Sequence, residues 1–256
     1  MNRWKAIVGV AGAGALAMGT GVALAQAPAA PLPTGDAVLA RHVEATGGVA
    51  AYDAIKNRVV HARMELMGAG VVIALTVYAA PPAAFYTLAE SEATGRIESG
   101  VSDGVVWENS AMRGPIVKDG AERDDALRDA VFDRIAHWRE HLKSAEGTGE
   151  ADVNGKPAFR VVATPKAGSP QTLYFDKESG LLVRIETTVT TAGGAVPVVA
   201  EPGDYRKVDG IMMPFRNRMQ VMGQQRVVTI EQVEHNVALP ADRFALPAEI
   251  KALIKK

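Results

Sequence analysis

Residues 60–78 read VHARMELMGAGVVIALTVY, and the pattern of this stretch decides the fold class of the chain. In residues 60–66 apolar side chains alternate with His61, Arg63 and Glu65, which is the period of two expected for a strand with one solvated face. Nearly all side chains of residues 71–78 are apolar, on both faces of the predicted strand, as in a strand that is covered on both sides. The stretch therefore predicts two strands of a sheet that is buried on at least one face.

Turn signals dominate the second half of the chain. Asn154-Gly155 is the strongest short hairpin signal, and Asp209-Gly210 is similar. Residues 176–180 predict a longer turn, and Gly223 marks another. Residues 104–119 predict one short strand followed by a loop. Roughly nine or ten strands result, and because most connect to their sequence neighbours we expect antiparallel pairing.

Two helices are expected beside this sheet. Residues 36–46 form the first, capped by Thr34 or Asp36, with a further short helical turn over residues 49–56. Residues 122–143 predict one long helix. A single apolar stripe runs along it at spacings of three and four, formed by Leu127, Val131, Ile135, Trp138 and Leu142. This helix should lie on an apolar surface.

These elements predict a mainly β fold with flanking helices. About ten antiparallel strands must curl, split or close, and two helices are too few to cover both faces. We expect a strongly curved antiparallel half-barrel covered by amphipathic helices, with an apolar cavity beneath them. The predicted ligand-binding residues of that cavity are Met64, Leu66, Ile73, Leu75, Trp138, Leu173, Phe175, Phe215 and Met219. Each of them is equally compatible with a packed core.

The N-terminus has the three parts of an export signal. Arg3 and Lys5 precede an uncharged run that ends in small residues, so we expect residues 1–25 to be a signal peptide cleaved after Ala25. A retained membrane anchor is the alternative. Residues 26–35 form a Pro/Ala-rich tether, and residues 36–256 a single domain. The chain has no cysteine, which excludes disulfides and lipid attachment at a signal-peptide cysteine. A soluble periplasmic protein is expected.

The charge and the motifs exclude several functional classes. A net charge of −1 gives no field that would attract nucleic acid. The sequence contains no nucleophile elbow, and its mature part has no glycine-rich phosphate loop, so we expect no cofactor. Arg216 and Arg218 share one strand face, where they are either solvated or able to pair with a ligand phosphate or carboxylate.

One metal-binding motif is present. His137, Glu140 and His141 form an H-x-x-E-H string within the predicted long helix, which is the inverted pattern of some zinc hydrolases. A third ligand is needed, and no downstream Glu lies in a matching helical context. The alternative interpretation is a polar edge of the helix, and we expect no metal and no catalytic residues.

Several stretches, in order along most of the mature chain, resemble the periplasmic outer-membrane lipoprotein-sorting group, the relatives of LolA and LolB. The matching stretches are residues 42–55, 103–119, 152–159, 174–186, 204–215 and 236–247. The resemblance implies an eleven-stranded or similar half-barrel with helices as a lid and a cavity for acyl chains. LolA itself uses a lid-locking arginine on an early strand, and Arg63 lies on a comparable strand here.

The predicted function is a non-catalytic periplasmic carrier or sensor of a lipid, an acyl chain or a lipoprotein. Its partners would be that hydrophobic ligand and an envelope membrane protein. An envelope scaffold for protein interactions, with a fully packed interior, is the second hypothesis. A zinc-dependent hydrolase that uses His137, Glu140 and His141 is the third.

Overall fold

The computed structural model describes residues 31–191 and 193–254. Within these residues thirteen strands form one antiparallel sheet, with five helices beside it. The sheet is curved and does not close into a barrel, so the predicted half-barrel fold class is confirmed. The predicted signal peptide, residues 1–25, lies outside the described residues, as do residues 26–30 of the predicted tether.

The sheet consists of two meanders that meet in its middle. The strands are β1 (Arg58–Leu66), β2 (Val71–Ala80), β3 (Ala84–Ser91), β4 (Gly95–Ser102), β5 (Val105–Ser110), β6 (Gly114–Val117), β7 (Leu142–Val153), β8 (Lys156–Pro165), β9 (Gln171–Asp176), β10 (Leu182–Thr191), β11 (Gly194–Val208), β12 (Ile211–Val221) and β13 (Gln224–His235). Within each meander, β1–β6 and β7–β13, every strand pairs with its sequence neighbours, and β1 pairs with β13 to join the two meanders. Strands β6 and β7 are therefore the two edges.

The helices pack on both sides of the sheet. They are α1 (Gly35–Ala45), α2 (Val49–Asp53), α3 (Gly120–Ala130), α4 (Trp138–His141) and α5 (Ala248–Ile254). We call the side that α1 contacts the inner face, and there Val38 and Leu39 pack with Leu173 and Phe175 in the largest apolar cluster. On the opposite, outer face, Ile250 of α5 packs into a separate aromatic cluster. Among the described residues, no helix has the length and apolar character needed to cross a membrane.

The turns predicted from Asn-Gly and Asp-Gly pairs are present. Asn154 and Gly155 have φ values of 55° and 80°, and Asp209 and Gly210 have values of 47° and 91°. Positive φ at both central residues is the geometry of the two-residue hairpin turn that follows the twist of the strands. Helix α1 also begins as predicted, since Thr34 Oγ1 accepts a hydrogen bond of 3.2 Å from the Ala37 amide.

The single long helix predicted over residues 122–143 is wrong. Helix α3 ends at Ala130, and Val131 has the extended values φ −59° and ψ 120°. The amide of Phe132 then donates to the carbonyl of Pro82, and Asp133 has a φ of 47°. A β-branched and an aromatic residue in succession are weak helix formers, so the bond to Pro82 on the sheet replaces the next helical turn. The chain re-forms only the four-residue helix α4 before strand β7 begins.

The strand count was also underestimated. Residues 104–119 hold two strands, β5 and β6, and β4 has no counterpart in the prediction. Strand β6 has only four residues, and β4 contains Gly95 and Gly100, a residue type that is depleted in strands. Helix α5 was missed as well. The thirteen strands exceed the eleven that the family resemblance implied.

Candidate functional site

A cavity of about 480 Å³ lies between the inner face and the chain that crosses it. We call residues 120–142, which include α3 and α4, the crossing segment. Its side of the cavity is formed by Leu127, Arg128, Val131, Asp133, Arg134, Ile135, Trp138, Glu140, His141 and Leu142. The opposite side is formed by Leu39, Ala163, Pro165, Lys166, Ala167, Leu173, Leu182 and Ile185. The volume falls within the range of about 300–1,000 Å³ that is usual for small-molecule sites.

The apolar stripe predicted for the long helix reaches this cavity. All five of its members line the wall, namely Leu127, Val131, Ile135, Trp138 and Leu142. These five side chains share one surface although the long helix is not formed. The crossing segment lies along the inner face of the sheet, and its apolar side chains face the cavity. The sequence pattern thus identified the correct apolar surface with the wrong backbone.

Trp138 is the most firmly held aromatic side chain of the cavity. Its indole nitrogen donates to Asp36 Oδ1 at 2.9 Å, and the residue is buried. The guanidinium carbon of Arg139 lies 3.9 Å from the centroid of its ring, which is close enough for a cation–π interaction. These contacts fix the orientation of the indole, so one wall of the cavity is preformed.

Charged and titratable side chains also line the cavity, namely Arg128, Asp133, Arg134, Glu140, His141 and Lys166. Arg134 donates to Gln171 at 3.0 Å and forms an ion pair with Asp129 at 3.4 Å. Burial lowers the pKa of His141. The positive charges of Lys166 and Arg134 lower this pKa further, whereas the negative charge of Glu140 raises it. The net effect favours the neutral form of the His141 imidazole.

A buried network fastens α3 to the sheet. Asp125 accepts hydrogen bonds from the Ser169 amide at 2.7 Å, the Ser169 hydroxyl at 3.2 Å and the Thr190 amide at 3.4 Å. Arg128 donates to the same carboxylate at 2.8 Å. Burial alone would raise the pKa of Asp125, but these hydrogen bonds and the guanidinium outweigh it and hold the pKa below its usual value.

A second attachment joins the crossing segment to β1. Arg58 donates two hydrogen bonds to Asp133, at 2.9 and 3.1 Å, and its guanidinium lies over the ring of Phe132. Its Nε donates to His235 Nε2 at 2.9 Å, so His235 carries its proton on Nδ1 and donates to Asp209. Burial lowers the pKa of His235, and the adjacent positive Arg58 lowers it further.

Arg63, the arginine singled out in the sequence, occupies a different place. Its guanidinium pairs with Glu65 at 3.1 Å and with Glu231 at 3.3 Å, and it is exposed. It does not touch the crossing segment. Arg58, five residues earlier on the same strand, makes the contact with the segment.

Of the nine predicted ligand-binding residues, Trp138 and Leu173 line the cavity. Phe175 is buried in the core against the His42 ring. The strand register places the remaining six on the inner face, beyond the cavity wall, and they are Met64, Leu66, Ile73, Leu75, Phe215 and Met219. That any of the nine contacts a ligand stays a prediction.

Sequence reasoning missed several lining residues. Leu39, Ala163 and Ile185 form the sheet side of the cavity together with Leu173. Ile185 pairs directly with Leu173 across β9 and β10, so the predicted hairpin register contained the signal that would have found it. Leu39 lies in the apolar stripe of α1, but its position over β8 and β9 depends on tertiary packing.

The H-x-x-E-H string does not form a metal centre in this structure. His137 precedes the four-residue helix α4, and its Nε2 lies 3.1 Å from Asp53 while Nδ1 is 4.0 Å from Glu140. In the part of the chain that the structure describes, no three His, Asp or Glu residues are grouped so that they could hold a metal ion. The long helix that would have placed both histidines on one face is absent.

An open, curved antiparallel sheet with helices across its inner face and an apolar cavity beneath them defines the LolA-like class of half-barrels. The predicted resemblance to that class is confirmed at the level of the fold. No protein-family model matches the chain, and a comparison with curated proteins also gives no match.

Solved structures with this fold include the following three. A DUF1329 family protein from Desulfovibrio piger is 15% identical with a TM-score of 0.57, over 82% of this chain and 96% of its own. A domain described as an outer membrane lipoprotein-sorting protein, from Vibrio parahaemolyticus, is 14% identical with a TM-score of 0.56, over 87% and 100%. A LolA superfamily protein from Nitrosomonas europaea is 13% identical with a TM-score of 0.57, over 84% and 98%.

Proposed function

We propose that this protein is a non-catalytic periplasmic binding or carrier protein for a lipid, an acyl chain or a lipoprotein. The apolar cavity between the crossing segment and the inner face carries the proposal. An envelope scaffold with a packed interior would have no need of such a space. The resemblance of the fold to lipoprotein-sorting proteins supports the same function.

The periplasm is the compartment that this function requires. The sequence supports export through its N-terminal residues, in which Arg3 and Lys5 precede an uncharged run. A carrier released there would shield an acyl chain from water between two membranes. Its partner would be an envelope membrane protein that delivers or receives the ligand.

Binding in this cavity should depend on chain length. Each methylene moved from water into an apolar site contributes about 0.8 kcal/mol, which corresponds to roughly a fourfold gain in affinity. The dissociation constants of saturated fatty acids should therefore fall by about this factor per methylene and then level off when the cavity is full. Displacement of a fluorescent fatty acid from the purified protein measures this series.

A matched pair of variants locates the binding site. Ile185 lines the cavity, and Thr188 lies on the same strand with an exposed side chain on the outer face. Ile185→Trp fills part of the cavity and should shift the plateau to shorter chains, whereas Thr188→Trp should leave the series unchanged. Equal series for both variants would place the ligand elsewhere.

Two further measurements separate the competing hypotheses. Native mass spectrometry of protein taken from the periplasm should show a bound lipid. A mass of the bare chain only, together with no fatty-acid binding at any length, would instead support the scaffold. Stoichiometric zinc that is lost in His137→Ala would support the hydrolase.

A further inference from the structure

The inner face carries an arginine with an unsatisfied Nε, Arg226, at the end of β13 that is remote from the cavity. Arg226 is partly buried, and its Nε has neither solvent exposure nor a hydrogen-bond partner among the described residues. The register pairs Arg226 with Met219 on β12 and with Leu66 on β1. A guanidinium set between two apolar side chains destabilises the fold unless an anion or a polar group satisfies it.

The surroundings of Arg226 contain no acidic side chain in register with it. The next inner-face row holds Asn217, Val228 and Met64, all uncharged. Asn217 Oδ1 is also buried without a hydrogen-bond partner in the part of the chain that is described. Arg226 therefore leaves a buried donor unused, whereas Asn217 leaves a buried acceptor that could take a hydrogen bond from a ligand hydroxyl but not from an anion.

An apolar row connects this place to the cavity. Leu173, which lines the cavity, pairs with Ile185, then Ala200, then Met219, and Met219 pairs with Arg226. Four strand spacings of about 4.8 Å give a path of roughly 19 Å along the sheet. One leaflet of a bilayer has a hydrocarbon thickness of about 15 Å, half of the roughly 30 Å core. The row is therefore long enough to take the acyl chain of a membrane lipid.

The hairpin tips beyond Arg226, at the end of the sheet, carry exposed apolar side chains. Met222, at the tip of the β12–β13 hairpin, is 79% exposed, and Met67, at the tip of the β1–β2 hairpin, is 47% exposed. The two tips are adjacent, since the Met67 amide donates to the Gln225 carbonyl at 2.9 Å. An amphiphile that approaches the inner face from this end contacts the apolar side chains of Met67 and Met222 before it reaches the guanidinium of Arg226.

From this arrangement we infer that the protein binds a single-chain anionic amphiphile, with its carboxylate or phosphate at Arg226 and its chain along the apolar row into the cavity. The inference rests on the proposed function and names its ligand class. Arg216 and Arg218, the arginines considered from the sequence, lie on the outer face and do not contribute.

The test compares palmitate with 1-hexadecanol, which has the same chain without the charge. Wild-type protein should bind palmitate about tenfold more tightly or better, as expected for hydrogen bonds to a charged group. Arg226→Met should bring palmitate down to the level of hexadecanol and leave hexadecanol binding unchanged. Arg226→Lys should retain part of the preference. Arg216→Met, an exposed outer-face arginine on the neighbouring strand, is the matched control and should change neither value.

The outcomes distinguish the two proposals. If hexadecanol and palmitate bind equally well to the wild type, or if Arg226→Met keeps the preference for palmitate, the anion site is wrong while the carrier function stands. If neither ligand binds, both are wrong. Inorganic phosphate alone should not compete with palmitate; competition at equal concentration would identify a site for a free anion and overturn the amphiphile. The urea midpoint of Arg226→Met should not fall, because the substitution removes a buried N–H group that has no hydrogen-bond partner.

Discussion

His42 of α1 donates a hydrogen bond from its Nδ1 to the carbonyl of Gly180, 138 residues later, at 3.0 Å. Because a carbonyl only accepts, the neutral tautomer with its proton on Nδ1 satisfies this contact. The imidazole is buried, with its centroid 5.1 Å from that of the Phe175 ring. This bond joins the first helix of the described chain to the β9–β10 turn.

The His42 contact predicts a loss of stability in mild acid. Burial lowers the pKa of His42 below its usual 6.5, and the bond to Gly180 opposes this only in part. The unfolded chain therefore binds more protons than the folded one below about pH 6.5, so the free energy of unfolding decreases as the pH falls through that range. Each unit of pKa difference corresponds to about 1.4 kcal/mol.

Urea unfolding between pH 7.5 and 5 measures this effect. His42→Gln should be less stable than the wild type at pH 7.5 but should show a flatter pH profile. His61→Gln, at a half-exposed histidine on the outer face of β1, is the control for the loss of an imidazole outside the core. Parallel profiles for all three proteins would show that His42 does not titrate on unfolding.

The Asp125 network predicts a large difference between two adjacent carboxylates. Asp125→Asn leaves amide donors of Ser169 and Thr190 without a charged acceptor, so unfolding should become easier by about 2 kcal/mol. Asp124→Asn, at the exposed neighbouring position, should change stability by less than about 0.5 kcal/mol. Chemical denaturation of both variants at pH 7 provides the comparison. Equal effects would contradict the role of Asp125 in fastening α3.

The ion pair between Arg58 and Asp133 should show strong coupling. Arg58→Met or Asp133→Asn alone leaves a mostly buried charge unpaired and should cost about 3 kcal/mol. The double variant should lose less than the sum of the two single losses. Asn is the substitution of choice at Asp133 because it tolerates the left-handed backbone there.

Hydrogen exchange gives a second measure of the same ion pair. The Phe132 amide, which is bonded to the Pro82 carbonyl, should exchange faster in either single variant than in the wild type. The Val161 amide in the centre of β8 should be unaffected by local opening of the crossing segment. Additive stability losses with unchanged exchange at Phe132 would show that the pair is energetically independent of the segment.

Gly100 on β4 should not tolerate a side chain. A Cβ atom there would lie 2.7 Å from the Phe85 carbonyl oxygen and 3.0 Å from the Trp107 indole. Gly100→Ala should destabilise the protein by about 2 kcal/mol, as overpacking does, and should change the fluorescence of Trp107. Gly203→Ala on β11, where no atom lies within 4 Å, is the control and should be neutral or slightly stabilising. A neutral Gly100→Ala would show that the indole can move at little cost.

Local signals predicted much of the fold. The alternation in residues 60–66 and the Asn154-Gly155 and Asp209-Gly210 turns depend on neighbours in the chain, and the structure contains the corresponding strands and hairpins. The end of α3 depends instead on the Pro82 carbonyl, about fifty residues away, which accepts from Phe132. Periodicity cannot show such a competitor, so the apolar stripe was read as one continuous helix.

The candidate site was predictable only in part for a similar reason. A period of two identifies which residues of a strand share a face, and it placed Leu173 and Met219 on the same side correctly. It does not tell where along that face a helix lies. It therefore could not show that Leu173 lines the cavity while Met219 lies on the inner face outside it. The unsatisfied Nε of Arg226 depends on its neighbours Leu66 on β1 and Met219 on β12, so no local pattern in β13 could have shown it.

The crossing segment is held at two points on opposite halves of the sheet. Asp125 is bonded near β9 and β10, and Asp133 is bonded to Arg58 on β1, four strands further along. The segment therefore spans the concave side of the curved sheet between these two attachments, and its length sets the distance between them. The curvature of the sheet and the volume enclosed beneath the segment must therefore change together. Any ligand that widens this space must bend the sheet, break the ion pair between Arg58 and Asp133, or break the hydrogen bonds that Asp125 accepts from Ser169 and Thr190.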